Sequence, residues 1–427
     1  RPLVRHIWIH IQLQPYTCQR CQDPRTKVWD NADNRIIRRT ITRLFSILAT
    51  WEPAEEGLTL ELSAHSISDS QHWFRDHYFG GDEDRDLDIR FETHERSTNP
   101  GFGHAVNHGW RHTQQVEFPG KNALCRLYGS SALKFNKNLP LVPAVTRFVL
   151  RRQCRGRLLP GPVSTLLCKF PRLESVVYEP WRMRDMDEQT RQDDGKQSEI
   201  CGYEERFLTI HVDCQDLVET RLPPTVRGLS LFEDYTEDYA HLFSPEFRAR
   251  AANPVVGAAF ARRSLHLEQL FVSFVIDAQH FFDACQSDWT WNHLQTVVLT
   301  SRLLHPSTPQ EDINALLRQA ADVASRMPRL QTMALWNYVG GHGAVFKYAS
   351  DVPSITWRGT WKIALELPVR LTWERTVAQR TRGELVSIAQ SVWLDFAFVP
   401  SRGDIIKCLE LPEGVLDPES LQQMRRE

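Results

Sequence analysis

A short hydrophobic pattern recurs along the chain and limits the possible folds more than any other feature. Four segments align without gaps: Phe170-Pro-Arg-Leu173-Glu-Ser-Val176-Val-Tyr178, Leu265-His-Leu267-Glu-Gln-Leu270-Phe-Val272, Trp291-Asn-His-Leu294-Gln-Thr-Val297-Val-Leu299 and Met327-Pro-Arg-Leu330-Gln-Thr-Met333-Ala-Leu335. Each carries apolar residues at positions 1, 4 and 6, the Leu-x-x-Leu-x-Leu core of a leucine-rich repeat. The same template fits Val4/Ile7/Ile9, Val145/Phe148/Leu150 and Val226/Leu229/Leu231, and more loosely Leu58/Leu60/Leu62 and Thr360/Ile363/Leu365. Positions 4 and 6 point to one side of a short strand, because successive side chains alternate across it. The steps from Leu150 to Tyr178 and from Val272 to Leu299 fit a repeat of roughly 20–29 residues. The longer steps between Tyr178, Leu231 and Val272 require insertions or a missed coil. A strictly regular repeat is excluded, and an irregular solenoid remains.

Helical signals lie between these strands. Ile37, Ile41, Leu44, Phe45 and Leu48 form one apolar stripe over residues 37–48, with Arg38, Arg39 and Arg43 off that face. Thr308-Pro309-Gln310-Glu311 reads as a capping box with Pro at the first helical position, opening a helix that stops by Met327, ahead of Pro328. The strand Leu330–Leu335 follows at once. Residues 79–123 and 182–200 break the pattern and read as long, partly mobile surface insertions. Residues 405–427 read as a C-terminal cap, which a solenoid needs in order to stay soluble. The expected fold is therefore α/β: an irregular leucine-rich-repeat-like solenoid spanning residues 1–427 as one domain, with a curved parallel sheet and convex-side helices.

Composition excludes several functions. A net charge of −2 gives no electrostatic reason to expect a nucleic-acid or membrane-surface partner. No apolar run approaches the length of a membrane span. Nine cysteines, an odd number, are scattered over 427 residues, which points to a reducing intracellular compartment, cytoplasmic or nuclear, over a disulfide framework. Cys18-Gln-Arg-Cys21 has the spacing that can place two thiolates on one metal. No second such pair exists, and the nearest helper, His104-x-x-x-His108, is distant in sequence, so two ordinary thiols in a loop are expected, with no metal and no cofactor. Asp82, Asp84, Asp86 and Asp88 alternate like a calcium loop, but Leu87 and Thr93 stand where Gly and Glu are required. Gly101-Phe-Gly103 lacks the leading strand and third glycine of a dinucleotide loop. With no recognisable nucleophile elbow, phosphate loop or zinc-protease motif, the expectation is a protein that is not an enzyme.

The remaining functional surface is the sheet face opposite the repeat core. Positions 5 and 7 of the aligned segments project there, and they include Trp8, His10, Arg151, Glu179, Phe232, Phe271 and Trp336. Exposed aromatic and arginine side chains are the composition of protein-binding hot spots. The competing expectation is that an insertion or end cap folds over this face and buries the same rings as core. Trp357, Trp361 and Trp373, near the C-terminus, are assigned to core.

Several stretches resemble a family of filamentous-fungal F-box-like proteins: Leu229–Tyr235, Asn253–Ser264, Met327–Asn337, Ile355–Trp361, Arg1–Trp8 and Leu58–Ser63. In that family the region is a domain of unknown function preceded by a short helical F-box. The resemblance implies an adaptor: the F-box docks the linker protein of a cullin–RING ubiquitin ligase, and the domain behind it selects a protein substrate. The chain opens Arg1-Pro-Leu-Val-Arg-His without a Met, where the F-box is expected to have ended, so docking to the ligase would depend on that preceding segment. A binding scaffold unrelated to ubiquitin, or an enzyme with an unrecognised site, are the alternatives.

Overall fold

The computed structural model describes residues 4–23, 27–75, 108–111, 114–128, 133–135, 138–152, 154, 158–181, 214–235, 252–363, 365–378, 390–393 and 401–426. Its strands are β1 (His6–Gln12), β2 (Leu58–His65), β3 (Trp110–Arg111), β4 (Gln114–Gln115), β5 (Val145–Leu150), β6 (Ser175–Tyr178), β7 (Gly228–Phe232), β8 (Gln269–Ser273), β9 (Thr296–Thr300), β10 (Thr332–Val339), β11 (His342–Ala349), β12 (Ser354–Gly359) and β13 (Gln390–Trp393). All except β3 and β4, which pair with each other, join one open sheet in chain order, with β1 and β13 at its edges. Neighbours run parallel throughout, apart from β11, which is antiparallel to both β10 and β12.

The register explains the repeated pattern. Ile7, Leu60, Phe148, Val176, Leu229, Leu270, Val297 and Met333 stand side by side across eight strands. Each is position 4 of its segment. A register slip of one residue would turn every such side chain to the other face, so the ladder is fixed by the apolar set that must be buried.

Helices pack on the face these residues share. They include α1 (Lys27–Leu48), α3 (Pro160–Leu167), α4 (Pro254–Ser264), α5 (Ala278–Asp283), α6 (Gln310–Ala324) and α7 (Leu367–Ala378), with a short helical stretch at residues 214–221 adding Cys214, Leu217 and Val218, whereas α2 (Lys121–Tyr128) belongs to a separate cluster. The α1 stripe delivers Ile37, Ile41, Phe45 and Leu48 to the same core as Leu60 and Phe148. Burying one side chain of this size stabilises by roughly 1.5–3 kcal/mol. The Asn253 side chain accepts from the Val255 N–H and caps α4, with Pro254 in its first turn. Gly257 lets α4 approach α5, since a Cβ there would lie 2.9 Å from the Cβ of His280. Among the described residues, no helix is long and apolar enough to cross a membrane.

Four details differ from expectation. The Thr308 capping box does not form: α6 begins one residue later, Pro309 is its N-cap, and no side chain caps it. Glu311 and Asp312 occupy its first turn instead, where carboxylates favour the helix dipole. The Thr360/Ile363/Leu365 segment is not a strand, because β12 ends at Gly359 and the chain turns at Trp361, whose ring packs 5.5 Å from that of Trp357. The β10–β11 hairpin was not anticipated either; Gly340 and Gly341 turn it with φ of 57° and 75°. Of the expected insertions, the first is described from His108 onward, and there it packs into a core through α2. Residues 76–107, with the acidic and glycine motifs, and residues 182–213 lie outside the described residues.

Candidate functional site

The sheet face opposite α1 and α3–α7 changes character along its length. At the β1 end, apolar and polar residues alternate: Ile7, Ile9 and Ile11 against His6, Trp8 and His10, then Leu60 and Leu62 against Glu61 and Ser63. By β8 and β9 both sets are apolar: Phe271 stands between Leu270 and Val272, and Val298 between Val297 and Leu299. A parallel strand that is apolar on both faces is one covered on both. The cover is the segment holding α8 (Arg402–Cys408) and α9 (Pro418–Met424). Its Ile405, Ile406, Leu409, Val415 and Met424 form a second core with Phe232, Phe271, Val298, Ala334, Trp336 and Tyr338.

Polar contacts fix this segment. Ser401 and Asp417 cap α8 and α9 with their side chains. Buried Glu179 accepts from the Ser420 hydroxyl, from the Asp417 N–H at 2.8 Å and from the Arg152 N–H at 3.3 Å. Burial, and then the Asp417 carboxylate, push Glu179 up to about 7. Asp234, fully buried, takes Arg152 on one oxygen and Arg402 at 2.7 Å on the other. Burial opposes ionisation of Asp234, yet the two guanidiniums outweigh it and hold the carboxyl below its usual range. Gly414, at φ +95°, passes directly over Phe271; a Cβ there would stand 2.9 Å from the ring. The Ser230 hydroxyl donates to the Gly414 carbonyl at 2.8 Å.

This cover corrects most of the expected recognition surface. Phe232 and Trp336 are 0% exposed and Phe271 5%. They are core, as the end-cap alternative held. Arg151 and Glu179 are buried as well, because they anchor the cover: Arg151 bridges Glu61 and Asp417. Trp357 and Trp373 are core as expected, and Trp361 is half-buried.

Trp8 and His10 alone of the expected set remain accessible, both half-buried, at the uncovered β1 edge. Trp8 Nε1 donates to Ser63 Oγ at 2.8 Å, and His10 Nδ1 meets the same oxygen at 2.6 Å. His65 packs against His10, ring centroids 4.0 Å apart. The Arg151 guanidinium lies 5.1 Å over Trp8, and His6 reaches Glu61 at 3.0 Å. Ser63 is itself buried and holds both rings, so the arrangement presents an ordered aromatic and imidazole patch. Ser63, His65 and Glu61 were missed by the sequence reading. Their signal was the alternation of β2, which marks a strand with one polar face.

The Cys18–Cys21 pair is not isolated from histidine. His108 Nε2 lies 3.2 Å from Cys18 Sγ, and His72 joins them, although both histidines are far away in sequence. Distance along the chain was a poor guide to distance in space here, since His72 and His108 stand far apart in sequence yet both meet Cys18.

No curated protein matches the chain. Residues 221–417, somewhat less than half of it, are similar to a family of unknown function (DUF6546). The matched stretch runs from just before β7 to Asp417, the cap of α9, and so takes in strands β7–β13 and α8, but not α9, the β1 patch or the cysteine–histidine cluster.

Proposed function

We propose that the chain is a non-catalytic protein-recognition domain, the substrate-binding part of an F-box-type ubiquitin-ligase adaptor, built as an irregular leucine-rich-repeat-like solenoid. The solenoid reading is supported by the position-4 side chains standing in register across eight strands, with helices on one face. The adaptor reading rests on the resemblance to fungal F-box-like proteins, and the ligase linker would be met only through an F-box ahead of residue 1. One observation carries the location of the surface. The Trp8–His10–His65 patch is the accessible remainder of the expected recognition face, and it holds an aromatic ring and three imidazoles, counting His6, in fixed positions.

The test is quantitative capture from fungal extract with the F-box-bearing protein and its Trp8→Ala/His10→Ala variant, read by mass spectrometry. The expected result is that both forms bring down ligase linker and cullin, and that one further protein is depleted at least about tenfold with the variant, at an unchanged melting temperature. Absence of linker and cullin from the wild-type capture would remove the ligase connection. A full set of partners retained by the variant would remove the patch.

A further inference from the structure

Three separate chain segments converge beyond the carboxyl ends of β1 and β2. The chain leaving β1 makes a 3-10 turn at Cys18–Arg20, closed by the Cys21 N–H donating to the Cys18 carbonyl at 3.1 Å, so that both thiols sit on one turn. The chain leaving β2 turns through Ser66–Asp69 and delivers His72. His108 comes from the chain just before β3.

Each segment is pinned independently. The Tyr16 N–H donates to Ser68 Oγ and the Tyr16 hydroxyl to Asp69, both at 2.9 Å, tying the cysteine loop to the His72 loop. Buried Arg126, from α2, donates to the carbonyls of Arg20 and Asp23 at 2.8 Å and so holds the turn that carries the thiols. The Trp110 indole donates to the Trp73 carbonyl at 3.0 Å, joining the His108 and His72 segments. His108 adopts φ +48° and is followed by Gly109 at +77°. A left-handed His is uncommon, and such backbone persists where the surroundings enforce it, often at ligand clamps.

Three donor atoms meet at one point. The ligand atoms of Cys18, His72 and His108 all lie within 4.8 Å of one another; Cys21, whose N–H donates to the Cys18 carbonyl at 3.1 Å, sits on the same turn but outside that threesome, and Cys21, His72 and His108 are buried. In a tetrahedral site with metal–sulfur near 2.3 Å and metal–nitrogen near 2.0 Å, a sulfur–nitrogen edge is about 3.5 Å. The Cys18–His108 separation of 3.2 Å is close to that. From this convergence we propose that Cys18, His72 and His108 hold one structural Zn²⁺ ion, with Cys21, the second thiol of the same turn, moving in as the fourth ligand.

The donor set suits that ion and that role. Two sulfurs and two imidazole nitrogens in a tetrahedron select zinc, and four protein ligands leave no open position for a reacting water. Binding exchanges the two thiol protons for the metal, giving a dithiolate–dication site of zero net charge, the state that tolerates a buried aromatic setting. The site also has a structural task. The cluster of Tyr16, Trp73, Phe74, Leu124, Tyr128 and Trp181 is a small core apart from the main one, and small cores gain most from a metal staple.

The experiment uses the whole chain, kept reduced and prepared without chelator. Elemental analysis should find about one zinc per chain. After chelation, titration with Co²⁺ should give the strong visible bands of a tetrahedral ion and a near-ultraviolet thiolate-to-cobalt charge-transfer band. Cys18→Ser and His108→Asn, the latter keeping a residue that tolerates left-handed backbone, should each weaken metal retention by at least about tenfold. Should a variant fail to fold, the wild-type cobalt spectrum decides. A reduced wild-type chain that takes up no metal, or shows an octahedral spectrum without the charge-transfer band, overturns the site. So does undiminished binding by both variants.

Discussion

Trp336 and Trp8 project from the same face of the same sheet and have opposite surroundings. Trp336 is 0% exposed, stacked 6.2 Å from Phe232 and edge-on to Phe274 at 5.0 Å, beneath the α8–α9 segment. Trp8 stands at the edge strand with one side open. Trp336→Ala should therefore leave a cavity and cost about 3–5 kcal/mol, whereas Trp8→Ala should cost about 1 kcal/mol or less. Urea denaturation of the two variants beside wild type checks this. Equal losses would mean that Trp8 is packed as tightly as Trp336 and is no contact surface.

The α9 helix depends on one acid. Glu179 accepts the Asp417 N–H and the Ser420 hydroxyl, and its folded value of about 7 lies above the ordinary 4.5. Between those values the folded chain keeps a proton that the unfolded chain has released, so stability falls as pH rises from about 4.5 to about 7 and then levels. The full effect is about 3 kcal/mol, from roughly 1.4 kcal/mol per pH unit. Glu179→Gln imitates the protonated acid, so urea midpoints at pH 5 and pH 8 should differ less in the variant than in wild type. An unchanged difference would show that Glu179 is not the titrating group. At this scale the sequence was readable in part. Strands β1, β2 and β5–β10 were visible because their apolar positions must be buried in register, and the α1 stripe because only a helix gathers it onto one face. The apolar runs of β8 and β9 also announced two-sided burial, and Gly340-Gly341 announced a hairpin, yet both signals were outweighed by the repeat template. What could not be read was the identity of the cover. Nothing local in residues 401–426 states which face of which strand they meet, and the return of His108 to Cys18 is equally non-local.

Across the whole molecule, strands contact mainly their neighbours, and such a linear stack can loosen from an end. The α8–α9 segment works against that. It joins Arg151 and Glu179 beside β5 and β6 to Arg358 on β12, which donates to the Cys408 carbonyl at 3.0 Å. A chain ending at residue 400 should bind a hydrophobic dye through the bared Phe232, Phe271 and Trp336, and should lose amide protection in β7–β10 more than in β1 and β2. Equal protection in the two forms would sink the idea that the segment ties the sheet together. The same arrangement sets an order of events during synthesis. Residues 401–426 follow every strand they cover, so the ribosome releases a largely assembled sheet whose aromatic side is still open to water. Until that segment emerges, the nascent chain displays a surface suited to chaperones and prone to self-association. Slower translation between β12 and α8 should therefore lengthen that exposure and lower the yield of folded protein.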